Sequence, residues 1–163
     1  MKLLGIIGSL FALSVAGLLW WGSTSQTVTG APATGTIAGL SVEENNYDFG
    51  TIRMKDGNVE HNFTVTNTTN QPVEVRKVYT SCMCTTAFLQ STDREKGPFG
   101  MEGMGFFAPA NEVIEPGESR AVRVVYDPNA HGPAGVGAID RFIYLTDPSG
   151  GELRFEIRAM VTP

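Results

Sequence analysis

Cys82 and Cys84, with Met83 between them, are the residues of this chain best suited to chemistry, and they are its only cysteines. In an extended strand residues i and i+2 point to the same side, so the sequence places both sulfurs on one face. Three states are open to such a pair. The first is a local disulfide. Ordinary bridges want Cα atoms about 4.4–6.8 Å apart, and an extended i,i+2 pair sits at the top of that range, so a bridge needs a kink. The second is a soft-metal site, because thiolates and thioethers favour Cu(I). Met101 and Met104 are its candidate further ligands, with His131 and Met83 more remote. The third is a pair of free thiols, small residues closing a strand beside the core. A closed zinc site fits less well. It needs two more Cys or His ligands, and the chain offers only His61 and His131. Copper is thus the one cofactor the sequence suggests.

A second feature follows directly. Gly97-Pro-Phe-Gly-Met-Glu-Gly-Met-Gly-Phe-Phe107 interleaves glycine with large apolar side chains. The glycines argue against regular helix or strand, and a long loop in a compact domain is usually functional or disordered. Phe99, Phe106 and Phe107 can fold back over an open end of the domain. The alternative is an exposed apolar surface in which Phe99, Met101, Met104, Phe106 and Phe107 meet a protein partner.

Enzyme chemistry finds little support. The two histidines have no Ser-His-Asp context, and no glycine loop has the form that cradles phosphate. A thiol oxidoreductase more usually carries Cys-x-x-Cys at a helix start. His61 lies on the apolar face of a strand, where a satisfied core or edge histidine is the ordinary reading. His131 lies in the turn Asn129-Ala-His-Gly-Pro133, where exposure is the ordinary reading. With 12 Lys and Arg against 17 Asp and Glu, the net charge is −5. That argues against a sequence-independent grip on nucleic acid and against a polybasic contact with anionic lipid.

The elements that carry these residues read as strands. From about Leu40 the hydrophobic pattern has period two. Val59, His61, Phe63 and Val65 share a face, as do Val122, Val124 and Tyr126. Ile139, Ile143 and Leu145 oppose Phe142 and Tyr144. Leu153, Phe155, Ile157, Ala159 and Val161 oppose Arg154, Glu156 and Arg158. In Pro72–Thr80, Val78 falls out of phase with Val73 and Val75, which suggests a bulge. Turn signals such as Glu115-Pro-Gly-Glu118 and Asp147-Pro-Ser-Gly-Gly151 divide the runs. The expectation is an all-β, immunoglobulin-like sandwich of about seven strands over 40–163, with an inserted loop at 90–112.

Leu3 to Trp21 contains no charge. As a helix it is roughly 28 Å long, close to the hydrocarbon thickness of about 30 Å. Trp20 and Trp21 close it at headgroup level, and Lys2 is held inside. Residues 1–21 are therefore expected to be a single-pass signal-anchor that places the rest on the extracytoplasmic side of the cell membrane. A cleaved signal peptide is the rival, but the run is longer than the usual h-region. Residues 22–39, rich in Gly, Ser, Thr, Ala and Pro, read as a flexible linker.

Tyr47-Asp-Phe-Gly-Thr-Ile52, His61-Asn-Phe-Thr-Val-Thr-Asn67, Ser81-Cys-Met-Cys-Thr85, Ile114-Glu-Pro-Gly-Glu118 and Tyr126-Asp-Pro128 occur in this order. In this the chain resembles the bacterial domain-of-unknown-function family 1573, over about 42–163. The resemblance implies an immunoglobulin-like fold of the Hydin and major-sperm-protein branch and an exported location. It implies no established activity. The expected function is that of a membrane-anchored binding or assembly module, with a copper-binding or thiol-redox protein using the Cys-Met-Cys motif as the alternative.

Overall fold

The computed structural model describes residues 36–105 and 108–163. The expected anchor at 1–21, most of the linker, and Phe106 and Phe107 lie outside the described residues. Among the described residues no helix is long and apolar enough to cross a membrane.

Among the described residues eleven strands form the domain: β1 (Leu40–Val42), β2 (Asn46–Arg53), β3 (Val59–Asn67), β4 (Val73–Val75), β5 (Lys77–Thr80), β6 (Thr85–Gln90), β7 (Glu95–Phe99), β8 (Glu112–Ile114), β9 (Ser119–Tyr126), β10 (Gly137–Thr146) and β11 (Glu152–Thr162). One sheet has the order β1-β3-β9-β6-β7 and the other β2-β11-β10-β5, with β4-β8 as a separate ribbon. The alternating residues read from the sequence are the ones that meet between the sheets. Phe63, Val65, Val122 and Val124 are fully buried from the first sheet, and Ile143, Leu145, Phe155 and Ile157 from the second. The rings of Phe63 and Phe155 stack across the gap with centroids 4.7 Å apart. Burying such a side chain contributes roughly 1.5–3 kcal/mol, so these inner faces hold the two layers together.

The structure departs from the sequence reading in four places. The strand count exceeds seven, because β2 has no fully buried face, β6 buries Thr85 with Ala87 and Leu89 and so shows no apolar alternation in sequence, and β4 and β8 are only three residues long. β2 is an edge strand paired in parallel with β11, with a register shift at Arg158/Met160. Only its Tyr47, Phe49 and Ile52 are even half-buried, so a period-two apolar signal was never required of it. The expected bulge at Val78 is instead a change of sheet. β4 pairs with β8 while β5 pairs with β10, and Arg76 sits between them, donating to the Thr146 carbonyl at 2.7 Å. The segment read as the loop 90–112 contains β7, which forms a hairpin with β6. Gly97 permits this: its φ is +135°, and a Cβ there would lie 2.8 Å from the Phe88 ring and 3.0 Å from the Ala87 carbonyl. Finally, Ile37, inside the stretch read as linker, is fully buried in the core, so the packed domain begins before Leu40.

The β4–β8 ribbon is fastened to the first sheet by the Asn67 Nδ2 bond to the Ile114 carbonyl at 2.8 Å, the Arg120 Nη2 bond to the Val113 carbonyl at 3.1 Å, and one buried carboxylate. Glu112 is 2% exposed. It accepts from Arg120 Nε at 2.8 Å, from Lys96 Nζ at 2.7 Å and from Arg94 Nη2 at 3.2 Å. Burial alone would raise its pKa, but the hydrogen bonds from Lys96 and Arg120 and the nearby positive charge outweigh that and hold it below the ordinary carboxylate value.

Candidate functional site

The Cys-Met-Cys motif is not the end of an extended strand. It is the turn by which the chain crosses from β5 in one sheet to β6 in the other. The Thr85 amide donates to the Cys82 carbonyl at 3.1 Å, closing a four-residue turn. Thr80 Oγ1 lies 3.0 Å from the carbonyl oxygens of both Cys82 and Thr85. Ser81 is tied to β10 twice: its amide donates to the Phe142 carbonyl and its hydroxyl accepts from the Phe142 amide, each at 2.9 Å. The Cys84 carbonyl accepts from the Asp127 amide at 2.9 Å. The turn is thereby clamped to β10 and to the end of β9. This supplies the kink that a bridge requires. The two Cα atoms are 5.3 Å apart and the sulfurs are joined as a disulfide.

The two sulfurs differ in their surroundings. Cys84 is buried, Cys82 is half-buried, and Met83 between them is 53% exposed. Cys84 Sγ receives Arg141 Nε at 3.2 Å and lies 3.8 Å from Thr85 Oγ1. Arg141 comes from β10, and its Nη1 is fixed by the Asp140 carbonyl at 2.8 Å. Cys82 Sγ lies 3.2 Å from His131 Nε2 and accepts from the Cys84 amide at 3.3 Å. The ligand atoms of Cys82, Cys84 and His131 all fall within 4.8 Å of one another.

His131 is the residue that sequence reasoning undervalued. The sequence makes it a turn residue and a remote candidate ligand; it is exposed, but the loop aims it at the disulfide. Asp127 Oδ1 accepts from the Asn129 amide at 2.8 Å, and Asn129 Nδ2 reaches the Met54 carbonyl at 2.8 Å. Gly132 takes φ +54° and leads into the one-turn 3-10 helix Gly132–Gly135, with Pro133 in its first turn. Arg141 was not singled out at all. It lies 57 residues from Cys84, and only the register of β10 brings the two together. His61 behaves as an edge histidine: it stacks on Tyr47 at 3.6 Å, with its Nε2 2.6 Å from Glu44 Oε1.

Of the other sequence-predicted residues, Phe106 and Phe107 lie outside the described residues, and Met101 lies beside β5. Met101 forms an isolated bridge with Thr80, two residues before Cys82. Met104 is 50% exposed. Its amide donates to the Met101 carbonyl at 3.2 Å. Phe99 points into the core and is 4% exposed, so it cannot present its ring to a partner as the sequence reading allowed. Between this turn and β5 lies an open cavity of about 400 Å³, lined among others by Lys77, Tyr79, Gly100, Glu102, Gly103 and Pro109. Tyr79 Oη donates to Glu152 Oε2 at 2.8 Å. Burial first, and then this bond to a carboxylate, push the phenol above its ordinary range.

No curated protein matches the sequence. Among solved structures, the chain is similar to a protein of unknown function from Porphyromonas gingivalis W83, at 20% identity and a TM-score of 0.54, over 74% of this chain and 46% of that one. It is also similar to a family 123 glycoside hydrolase from Clostridium perfringens, at 8% identity and a TM-score of 0.52, over 72% of this chain and 23% of that one. The chain spans less than half the length of either structure, and at these identities the likeness is one of fold. The model of the family described as protein of unknown function DUF1573 matches residues 40–100, the same family that the sequence motifs resemble.

Proposed function

We propose that the chain is a membrane-anchored, extracytoplasmic binding or assembly module. The observation that carries this reading is the open cavity between the edge strand β5 and the 100–105 turn. Binding sites are concave, largely preformed and lined by apolar surface with a few placed polar groups. Here Tyr79 and Pro109 supply the apolar part, with Lys77, Arg76 and Glu102 at hand. The uncharged run Leu3–Trp21 supports the anchor. The test is crosslinking in intact membranes from a photoreactive residue at position 102. A discrete adduct with a second protein is expected. A chain that stays uncrosslinked there, and is monomeric in those membranes, would remove the reading.

A second reading is a soft-metal site. Cys82, Cys84 and His131 offer two sulfurs and an imidazole nitrogen within one coordination sphere, a set that suits Cu(I). The disulfide provides no thiolate, so this reading applies to the reduced chain. Titration of the reduced protein with Cu(I) tests it. Stoichiometric binding that His131→Ala weakens is expected, and failure to bind at micromolar concentration would exclude it.

A further inference from the structure

A disulfide between residues i and i+2 does little as a structural staple. Closing a loop this short removes only about half the chain entropy that a 15-residue loop does. The turn is in any case already held by the hydrogen bonds of Thr80, Ser81 and Thr85. What distinguishes this bridge is the asymmetry of its two sulfurs. Thiol–disulfide exchange needs one accessible sulfur to be attacked and a stabilised thiolate to leave. Cys82 is the more accessible sulfur. Cys84 is buried and already receives the charged guanidinium of Arg141. Hydrogen bonds to an ionised acceptor are roughly twice as strong as neutral ones, so the contact strengthens as charge develops on Cys84.

We infer that Cys82–Cys84 is a thiol–disulfide exchange centre that takes electrons from an external dithiol, with Cys82 as the attacked sulfur, Cys84 as the leaving thiolate, and Arg141 and His131 as the groups that receive the two thiolates. This goes beyond the binding reading and does not depend on it. A substrate thiolate attacks Cys82 Sγ. Its sulfur bonds to Cys82, the Cys82–Cys84 bond breaks, and the electron pair leaves on Cys84 Sγ against Arg141. The second substrate thiol, deprotonated, then attacks the substrate sulfur of this mixed disulfide. That closes the substrate's own disulfide and releases Cys82 as a thiolate 3.2 Å from His131 Nε2. Two electrons pass from substrate to protein. The two protons leave the substrate thiols for solvent or for the new protein thiols. One dithiol is oxidised per chain.

The test uses the full-length oxidised chain in detergent. It is mixed separately with dithiothreitol and with a reduced, unfolded polypeptide carrying a cysteine pair, and newly freed thiols are trapped with N-ethylmaleimide. Stoichiometric loss of the disulfide is expected in at least one arm, and the faster arm identifies the source of the thiols. In a parallel reaction with glutathione, peptide mapping is expected to find the adduct on Cys82 and the maleimide on Cys84. Arg141→Gln is expected to slow reduction at least about tenfold, and Arg141→Lys to recover much of the rate. In denaturant, where the contacts are gone, all three proteins are expected to react alike. An adduct on Cys84, an equal distribution, or a rate unchanged by Arg141→Gln in the folded protein would overturn the inference. So would a disulfide that resists both dithiols in the native chain.

Discussion

Replacing Glu112 by alanine isolates what one buried carboxylate does for the whole edge of the domain. The side chain links β8 to Arg120 of β9 and to Arg94 and Lys96 beside and within β7. Removing one partner of a buried ion pair typically costs about 3–5 kcal/mol, because the remaining charge is left desolvated. Two of the three cations here escape that penalty in part. Arg94 is 55% exposed and Lys96 31%, so both can turn to water. Arg120 is only 10% exposed, but it keeps Glu118 at 2.9 Å. The lower end of the range applies, about 3 kcal/mol, which for a domain of this size is a fall in Tm of about 10 °C. The pH dependence has a definite sign. The Glu112 carboxyl is held below its ordinary 4.5 in the folded state. Its contribution is therefore complete above that value and is lost as pH falls through the lower folded value. Thermal melts of wild type, Glu112→Ala and Glu112→Gln from pH 7 to pH 3 read both effects. Wild type should lose stability steeply below about pH 4.5, and Glu112→Gln should show a shallower acid limb from a lower plateau. A loss under about 1 kcal/mol in Glu112→Ala, in the range of a surface ion pair, would refute the reasoning, as would an unaltered acid limb in Glu112→Gln.

Gly97→Ala should destabilise by more than the roughly 1 kcal/mol of an ordinary backbone penalty, because its Cβ would meet the Phe88 ring and the Ala87 carbonyl; denaturant melts against the exposed control Gly103→Ala measure the difference. Phe155→Ala should cost about 3–5 kcal/mol through the cavity it leaves against Phe63, read as a shifted midpoint in urea. Tyr79 should titrate above the ordinary tyrosine range in an ultraviolet pH titration. Because its folded pKa is raised, its contribution to stability holds below pH 10 and falls away above it, a limb that Tyr79→Phe should lack. Deleting residues 1–33 should release the domain from membranes into the soluble fraction without changing its melting behaviour, which fractionation followed by calorimetry checks.

The strands that were legible in the sequence are those with one face in the core and one in water. β3, β9, β10 and β11 alternate over eight to eleven residues, and their inward residues are the buried ones. Strands with another kind of constraint left no such trace. β2 sits at an edge with its apolar face only half covered. β4 and β8 are three residues each, too short to show a period, although Val75 and Ile114 are fully buried. The change of sheet at Arg76 gave the same phase slip as a bulge, since both rotate the side chains relative to the strand before them. The chemical site was half legible. Cys82 and Cys84 were visible because they are the chain's only cysteines and stand two positions apart, and the need for a kink followed from bridge geometry. Arg141 was not legible as a partner, and His131 only as a remote candidate ligand. Their approach depends on the register of β10 and on the 127–137 loop, and neither is encoded by local spacing. Of the two readings of Phe99, the inward one agrees with its burial; the glycine-rich sequence hid the strand β7 that turns the ring into the core.

The binding reading makes one comparison decisive. A photoreactive residue is placed in turn at position 102, beside the cavity, and at position 41, on the edge strand β1 of the other sheet. Both full-length proteins are irradiated in native membranes, and adducts are resolved by mass. The account predicts a discrete adduct with another protein from position 102 and none from position 41. Equal labelling from both positions, or no adduct from position 102, would contradict it.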